Sequence, residues 1–170
     1  METATRLRKF IDVLIGLLSL SLLVSVFVLF YIIIQKSTII IDMPERYQSV
    51  DLFSWKTYII LVSFAVEYIL CILALFYMRS GVKKLSLGKF FTTEISQCFL
   101  KSGKLFVIVG LTTIFLRFLA DLILLDRIGI IIDYTNISLV FVSVVGLFFM
   151  LFSNVLYKGI ELKKDNDLTI

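Results

Sequence analysis

Four stretches of this chain are each apolar for about 20 residues or more, the length a helix needs to cross a hydrocarbon core about 30 Å thick. They cover residues 10–34, about 57–78, about 105–125 and about 137–157. Lipid offers no hydrogen bonds to backbone N–H and C=O groups, so each stretch must satisfy its own backbone as a helix. The expected fold is therefore all-α: a transmembrane four-helix bundle. Composition agrees with this. The chain is 59% hydrophobic and 18% charged, with a mean hydropathy of +1.01, against roughly 45–50% apolar and about 25% charged in soluble domains. Four spans with short loops use nearly all of residues 1–170, which read as a single membrane domain.

Arg6-Leu7-Arg8-Lys9 could open a signal peptide. The apolar run behind it is much longer than the roughly 7–15 residues of a signal core, and no Ala-x-Ala site follows, so a retained helix is expected. Orientation follows from Lys and Arg in the flanks. Twelve lie in the N-terminus, the 79–104 loop and the 158–170 tail: Arg6, Arg8, Lys9, Arg79, Lys83, Lys84, Lys89, Lys101, Lys104, Lys158, Lys163 and Lys164. Only Lys36, Arg46, Lys56 and Arg127 lie in the other two loops. Both termini and the 79–104 loop are thus expected in the cytosol. The net charge of +4 reads as a topology signal, with no direct nucleic-acid partner.

The outer loops share a pattern, Ile39-Ile40-Ile41-Asp42 and Ile130-Ile131-Ile132-Asp133. Such β-branched runs favour extended backbone, so they could pair as short strands, mark a duplicated hairpin, or coincide by chance. Tyr47, Trp55, Tyr58 and Tyr134 fit an outer aromatic belt. In the 79–104 loop, Gly88-Lys89-Phe90-Phe91 reads as a turn. Thr92 or Thr93 then caps a helix, with Glu94 in its first turn, that starts about ten residues before the third span.

Ionisable groups at mid-bilayer are costly and tend to face the bundle interior and pair. At about 1.5 Å per residue, Glu67 lies about 16 Å and Arg117 about 18 Å from the cytosolic ends of their spans. An ion pair between them is expected, with Asp121 one turn further out on the same face as Arg117. Stripes of small and polar residues mark the inner faces: Ser63, Glu67, Cys71 and Ala74; Gly103, Gly110, Thr113, Arg117 and Asp121; Ser143, Gly146, Met150, Asn154 and Tyr157. The Glu67–Arg117–Asp121 network either fixes helix packing or forms a site for a proton, ion or polar ligand. Asp12 lies near the cytosolic edge, one turn from Arg8, and reads as an interfacial charge.

Catalytic patterns are absent. There is no histidine, which removes the commonest general base and metal ligand. Ser102-Gly103-Lys104-Leu105 lacks the earlier glycine and following hydroxyl of a phosphate loop. Cys71, inside a span, and Cys98, on the cytosolic side, have neither redox nor zinc spacing and are not expected to pair. Neither an enzyme nor a cofactor or metal is expected.

The tail from Tyr157-Lys158-Gly159 to Asp165-Asn166-Asp167-Leu168-Thr169-Ile170, and Gly88-x-x-Phe91-Thr92 shortly before the third span, resemble a bacterial family of small four-span membrane proteins, number 2975 in the domain-of-unknown-function series. The resemblance implies a bacterial cytoplasmic membrane and no established activity. It also implies small helix-turn-helix regulators encoded nearby, and hence a cytosolic regulatory partner. The leading expectation is a non-enzymatic sensing or regulatory protein acting through its cytosolic surfaces. The alternative is a small ion-coupled carrier using Glu67, Arg117 and Asp121, which with four spans would work as a homodimer.

Overall fold

A computed structural model describes residues 2–35, 54–88, 92–125 and 134–168. They form four helices: α1 (Glu2–Gln35), α2 (Trp55–Ser86), α3 (Thr93–Leu125) and α4 (Tyr134–Leu168). All four are long and apolar enough to cross a membrane. The two Ile-Ile-Ile-Asp segments and Tyr47 lie outside the described residues. With 32–35 residues each, the helices reach about 48–53 Å, well beyond a hydrocarbon core of about 30 Å. The surplus falls mainly at one end, where α1 and α3 begin and α2 and α4 finish. This end is called the base here, and the opposite end the top.

The helix ends have local causes. At the top, Ser54 caps α2: its hydroxyl accepts from the Lys56 N–H at 3.4 Å and its carbonyl from the Thr57 N–H at 3.0 Å. At the base, the Leu87 and Gly88 N–H groups return to the carbonyls of Lys84 and Leu85. Gly88 takes a φ of 79°, a left-handed conformation that stops the helix and that a side chain would strain. Gly88 thus ends α2, as expected, while Lys89, Phe90 and Phe91 of the expected turn lie outside the described residues. The expected start of α3 is also met, but by a different group. The Thr92 carbonyl accepts from Ile95 and Ser96 N–H, while its hydroxyl is buried without a hydrogen-bond partner. A buried unsatisfied polar atom costs about 1–3 kcal/mol. Thr92→Val, which keeps the shape and removes the orphan, should therefore raise the thermal unfolding midpoint in mild detergent. A hydroxyl cap would give the opposite sign.

Each helix packs antiparallel on its neighbour in sequence. The α3–α4 contact is the most extensive, α2–α3 is next, and α1 rests on α2 alone with no comparable contact to α3 or α4. The four helices thus pack in chain order as an open array, the all-α four-helix architecture expected. A crevice of about 320 Å³ separates α1 from α2 toward the top, lined by Ser21, Ser25, Leu61, Phe64, Ala65 and Tyr68. The buried core lies toward the base and draws on all four helices: Ile11 and Ile15 from α1, Ala74, Leu75 and Val82 from α2, Ile95, Phe99 and Phe106 from α3, and Leu156 from α4. The outward faces expose Leu23, Phe27, Phe115, Phe141 and Leu151. Apolar exposure on this scale suits contact with lipid and would be a liability in water.

The inner stripe of α4 differs from the expected one. Ser143 and Gly146 are buried, but the line continues through Ser153, Leu156 and Ile160, while Asn154 and Tyr157 are exposed. The buried line passes through Ser153, one residue before the polar Asn154. Close to the membrane edge a polar side chain can instead face the headgroups.

Candidate intramembrane polar site

The site is positioned by two close helix contacts. Between α3 and α4 the backbones touch. A Cβ added at Gly103 would lie 2.6 Å from the Gly146 carbonyl oxygen, and one at Gly146 would lie 2.7 Å from that of Gly103. Two turns toward the base, Ser96 and Ser153 each donate to the other's carbonyl, at 3.0 and 2.7 Å. Toward the top, a Cβ on Gly110 would meet the Leu139 carbonyl at 2.8 Å. Between α2 and α3, the Phe99 ring lies against Gly81, whose added Cβ would be 3.1 Å from it. The Ser102 hydroxyl donates to the Ala74 carbonyl at 2.9 Å.

This register decides what faces Glu67. Its side chain is buried, at 7% exposure, and it accepts a hydrogen bond from the Thr113 hydroxyl on α3. The expected partner, Arg117, lies one turn further toward the top. Its guanidinium donates to the Asn136 side-chain oxygen on α4 at 3.3 Å. The direct Glu67–Arg117 pair is thus replaced by a hydroxyl for the carboxylate and an amide for the guanidinium. The physical reason is the α2–α3 register: the limits of the apolar stretches would set residues 78 and 105 level, whereas Phe99 on Gly81 and Ser102 on Ala74 slide α3 by about one turn. Asp121 is buried at 6% exposure, one turn beyond Arg117, and Thr57 is buried at the top of α2. A crevice of about 400 Å³ opens beside that turn, between Trp55, Ile59 and Ile60 on α2 and Leu122 and Ile123 on α3.

The polarity is one-sided. From Glu67 toward the top, the α3 face carries Thr113, Arg117 and Asp121. Toward the base it meets Ala74, Leu75, Phe106 and Val109, all buried, and the Gly103–Gly146 backbone contact. Among the described residues no group of His, Cys, Asp and Glu clusters in a way that could hold a metal ion. Cys71 and Cys98 are free thiols.

A second set of charges ties the base together. Arg79 on α2 donates to Asp12 on α1, and Arg8 stands 4.0 Å from the same carboxylate. Sequence reasoning found Arg8 and missed Arg79. Their common level at the base edge of two antiparallel neighbours was the available signal. Lys84 at the end of α2 donates to Glu94 in the first turn of α3 at 2.5 Å, spanning the α2–α3 connection. Lys101 lies 5.5 Å from the centre of the Tyr77 ring. The Glu94 hydrogen bond, and then its charge, hold the Lys84 ammonium above its ordinary pKa. A raised lysine pKa means the tie is complete at and below the ordinary lysine value and is lost as pH rises through the raised one. Acylation of Lys84 should therefore begin at higher pH than in the Glu94→Gln chain, as read by peptide mapping.

Residues 38–170 match the family described as protein of unknown function (DUF2975). The chain belongs to that family. No curated protein and no solved structure matches it. The matched region contains α2, α3 and α4, the three helices that share the most extensive contacts, together with Glu67, Thr113, Arg117 and Asp121. The DUF2975 match leaves out α1, the helix whose packing on its neighbour is least extensive.

Proposed function

We propose that this DUF2975 protein is a non-enzymatic sensing or regulatory protein of a bacterial cytoplasmic membrane, without cofactor or metal. Its base, with both termini, faces the cytosol. One observation carries this reading: the packed core and the ion pairs Asp12–Arg79 and Lys84–Glu94 all lie at the base, the end that also bears most of the Lys and Arg. Packing shared by all four helices couples a change in helix position to the surfaces a cytosolic protein would touch. On α4, the stretch beyond Ile160 supplies an exposed face on which Leu162 stands 66% exposed among charges.

A photocrosslinker at Leu162 in the native membrane tests the proposal. The expected result is one recurrent cytosolic protein, a small helix-turn-helix regulator by the family resemblance. The comparison position is Leu151, which is exposed within the span and should yield lipid or a second copy of the chain. Equal protein capture at both positions, or none at Leu162, would count against a cytosolic output.

The carrier reading rests on the burial of Glu67 and Asp121 inside the span. It requires access to the site from both sides, and the side toward the base is filled by apolar side chains and the α3–α4 backbone contact. A Glu67→Gln/Arg117→Gln chain that folds but loses an ion flux in vesicles would favour the carrier.

A further inference from the structure

The geometry points to Glu67 as a proton-binding site within the membrane, with Thr113 as a partner that satisfies the carboxyl in either protonation state. The inference holds whether the chain signals or carries.

It starts from one hydrogen atom. The Thr113 hydroxyl lies within hydrogen-bond reach of two acceptors, a Glu67 carboxyl oxygen and the Val109 carbonyl, the latter at 2.7 Å. A hydroxyl has one hydrogen and two lone pairs, so it cannot donate to both at once. With Glu67 ionised, Thr113 gives its hydrogen to the carboxylate. The Val109 carbonyl loses little, because a mid-helix carbonyl already accepts a backbone N–H. With Glu67 protonated, the carboxyl becomes the donor to Thr113, whose own hydrogen turns to Val109. Both contacts are then made at once. Proton uptake requires only rotation of a hydroxyl hydrogen, while the heavy atoms and the α2–α3 register stay in place. A buried carboxyl facing only donors would have no such second state, and one facing only carbonyls would have no ionised state.

The surroundings support a site loaded from the top. On α3, Arg117 and Asp121 follow Thr113 at one-turn intervals in that direction. On α2, Tyr68 and Cys71 are the nearest titratable neighbours in sequence. The spanning part of α4 carries no Asp, Glu, Lys or Arg before Lys158, and the charged residues of α1, Glu2 to Asp12, lie at the base. Toward the base lie Cys71 and then the buried Ala74, Leu75, Phe106 and Val109, with the Ser102 hydroxyl already bonded to the Ala74 carbonyl, so the proton path runs toward the top, where the charged residues of α3 lie.

Dicyclohexylcarbodiimide, which reacts with protonated carboxyls in apolar surroundings, tests the proposal on the full chain in lipid vesicles, with labelled peptides read by mass. Labelling at Glu67 is expected to be strong in acid and to fall as pH rises. In Thr113→Val the ionised carboxylate loses its donor, which costs more than the neutral acid's loss of an acceptor, so labelling should persist to higher pH. Thr113→Ser, which keeps the hydroxyl, should restore the parent profile and also shows that the site tolerates substitution. Absence of Glu67 labelling at every pH would overturn the proposal. So would labelling independent of pH, or a Thr113→Val profile identical to that of the parent.

Discussion

Gly103→Ala should destabilise the protein by about 1–3 kcal/mol, the usual cost of forcing extra atoms into a close-packed contact. The new Cβ would stand 2.6 Å from the Gly146 carbonyl oxygen and 2.9 Å from the Met150 amide nitrogen. Both are backbone atoms of α4, so no rotamer change relieves the clash and the helices must separate. Separation would also loosen the Ser96–Ser153 bonds toward the base and the Gly110 contact toward the top, because all lie on the same α3–α4 seam. In lipid this seam has little hydrophobic driving force. It depends on close van der Waals contact and hydrogen bonds, both of which weaken steeply with distance. Gly16→Ala on α1 is the control: nothing lies within 4 Å of its added Cβ, and alanine is the better helix former by about 1 kcal/mol. Unfolding by sodium dodecyl sulfate in mixed micelles should separate the two chains, with Gly103→Ala unfolding at lower detergent fraction and Gly16→Ala at an equal or higher one. Equal behaviour would mean the α3–α4 contact is not tight.

The sequence revealed what lipid dictates and left open what packing dictates. Number, type and rough extent of the helices followed from apolar length. The start of α3 well before its span was legible because Gly88 and the threonines at 92 and 93 punctuate the chain in a helix-specific way. That Glu67, Arg117 and Asp121 lie on inward or half-inward faces followed from the cost of exposing them to lipid. The identity of the Glu67 partner did not. Hydropathy fixes depth only to about a turn, and one turn is the difference between Thr113 and Arg117. What sets the register is the Phe99 ring on the bare backbone of Gly81, a fit of shapes that no periodicity encodes. The Ser96–Ser153 exchange was missed for a related reason: serine within an apolar helix commonly bonds its own preceding turn, as Ser19 and Ser63 do here.

Phe99→Ala should have the largest effect of any single core truncation, about 3–5 kcal/mol. Phe99 is 3% exposed. It meets Phe152 edge-on at 5.1 Å and Phe149 at 5.9 Å between ring centres, and it covers Gly81. One side chain therefore joins α2, α3 and α4. Its position also decides which forces act on it. It precedes the apolar 105–125 stretch by six residues, about 9 Å along the helix, so the unfolded alternative for this ring is water as well as lipid. Its removal then costs a transfer term in addition to the cavity. Val109 is 6% exposed but lies within the apolar stretch, where lipid is as apolar as the core and only the packing term applies. Measured by the same detergent titration, Phe99→Ala should lose more stability per carbon removed than Val109→Ala. If the two losses per carbon agree, the base is not a water-facing extension of the bundle. The proposed output through helix positions at the base would then lose its physical basis.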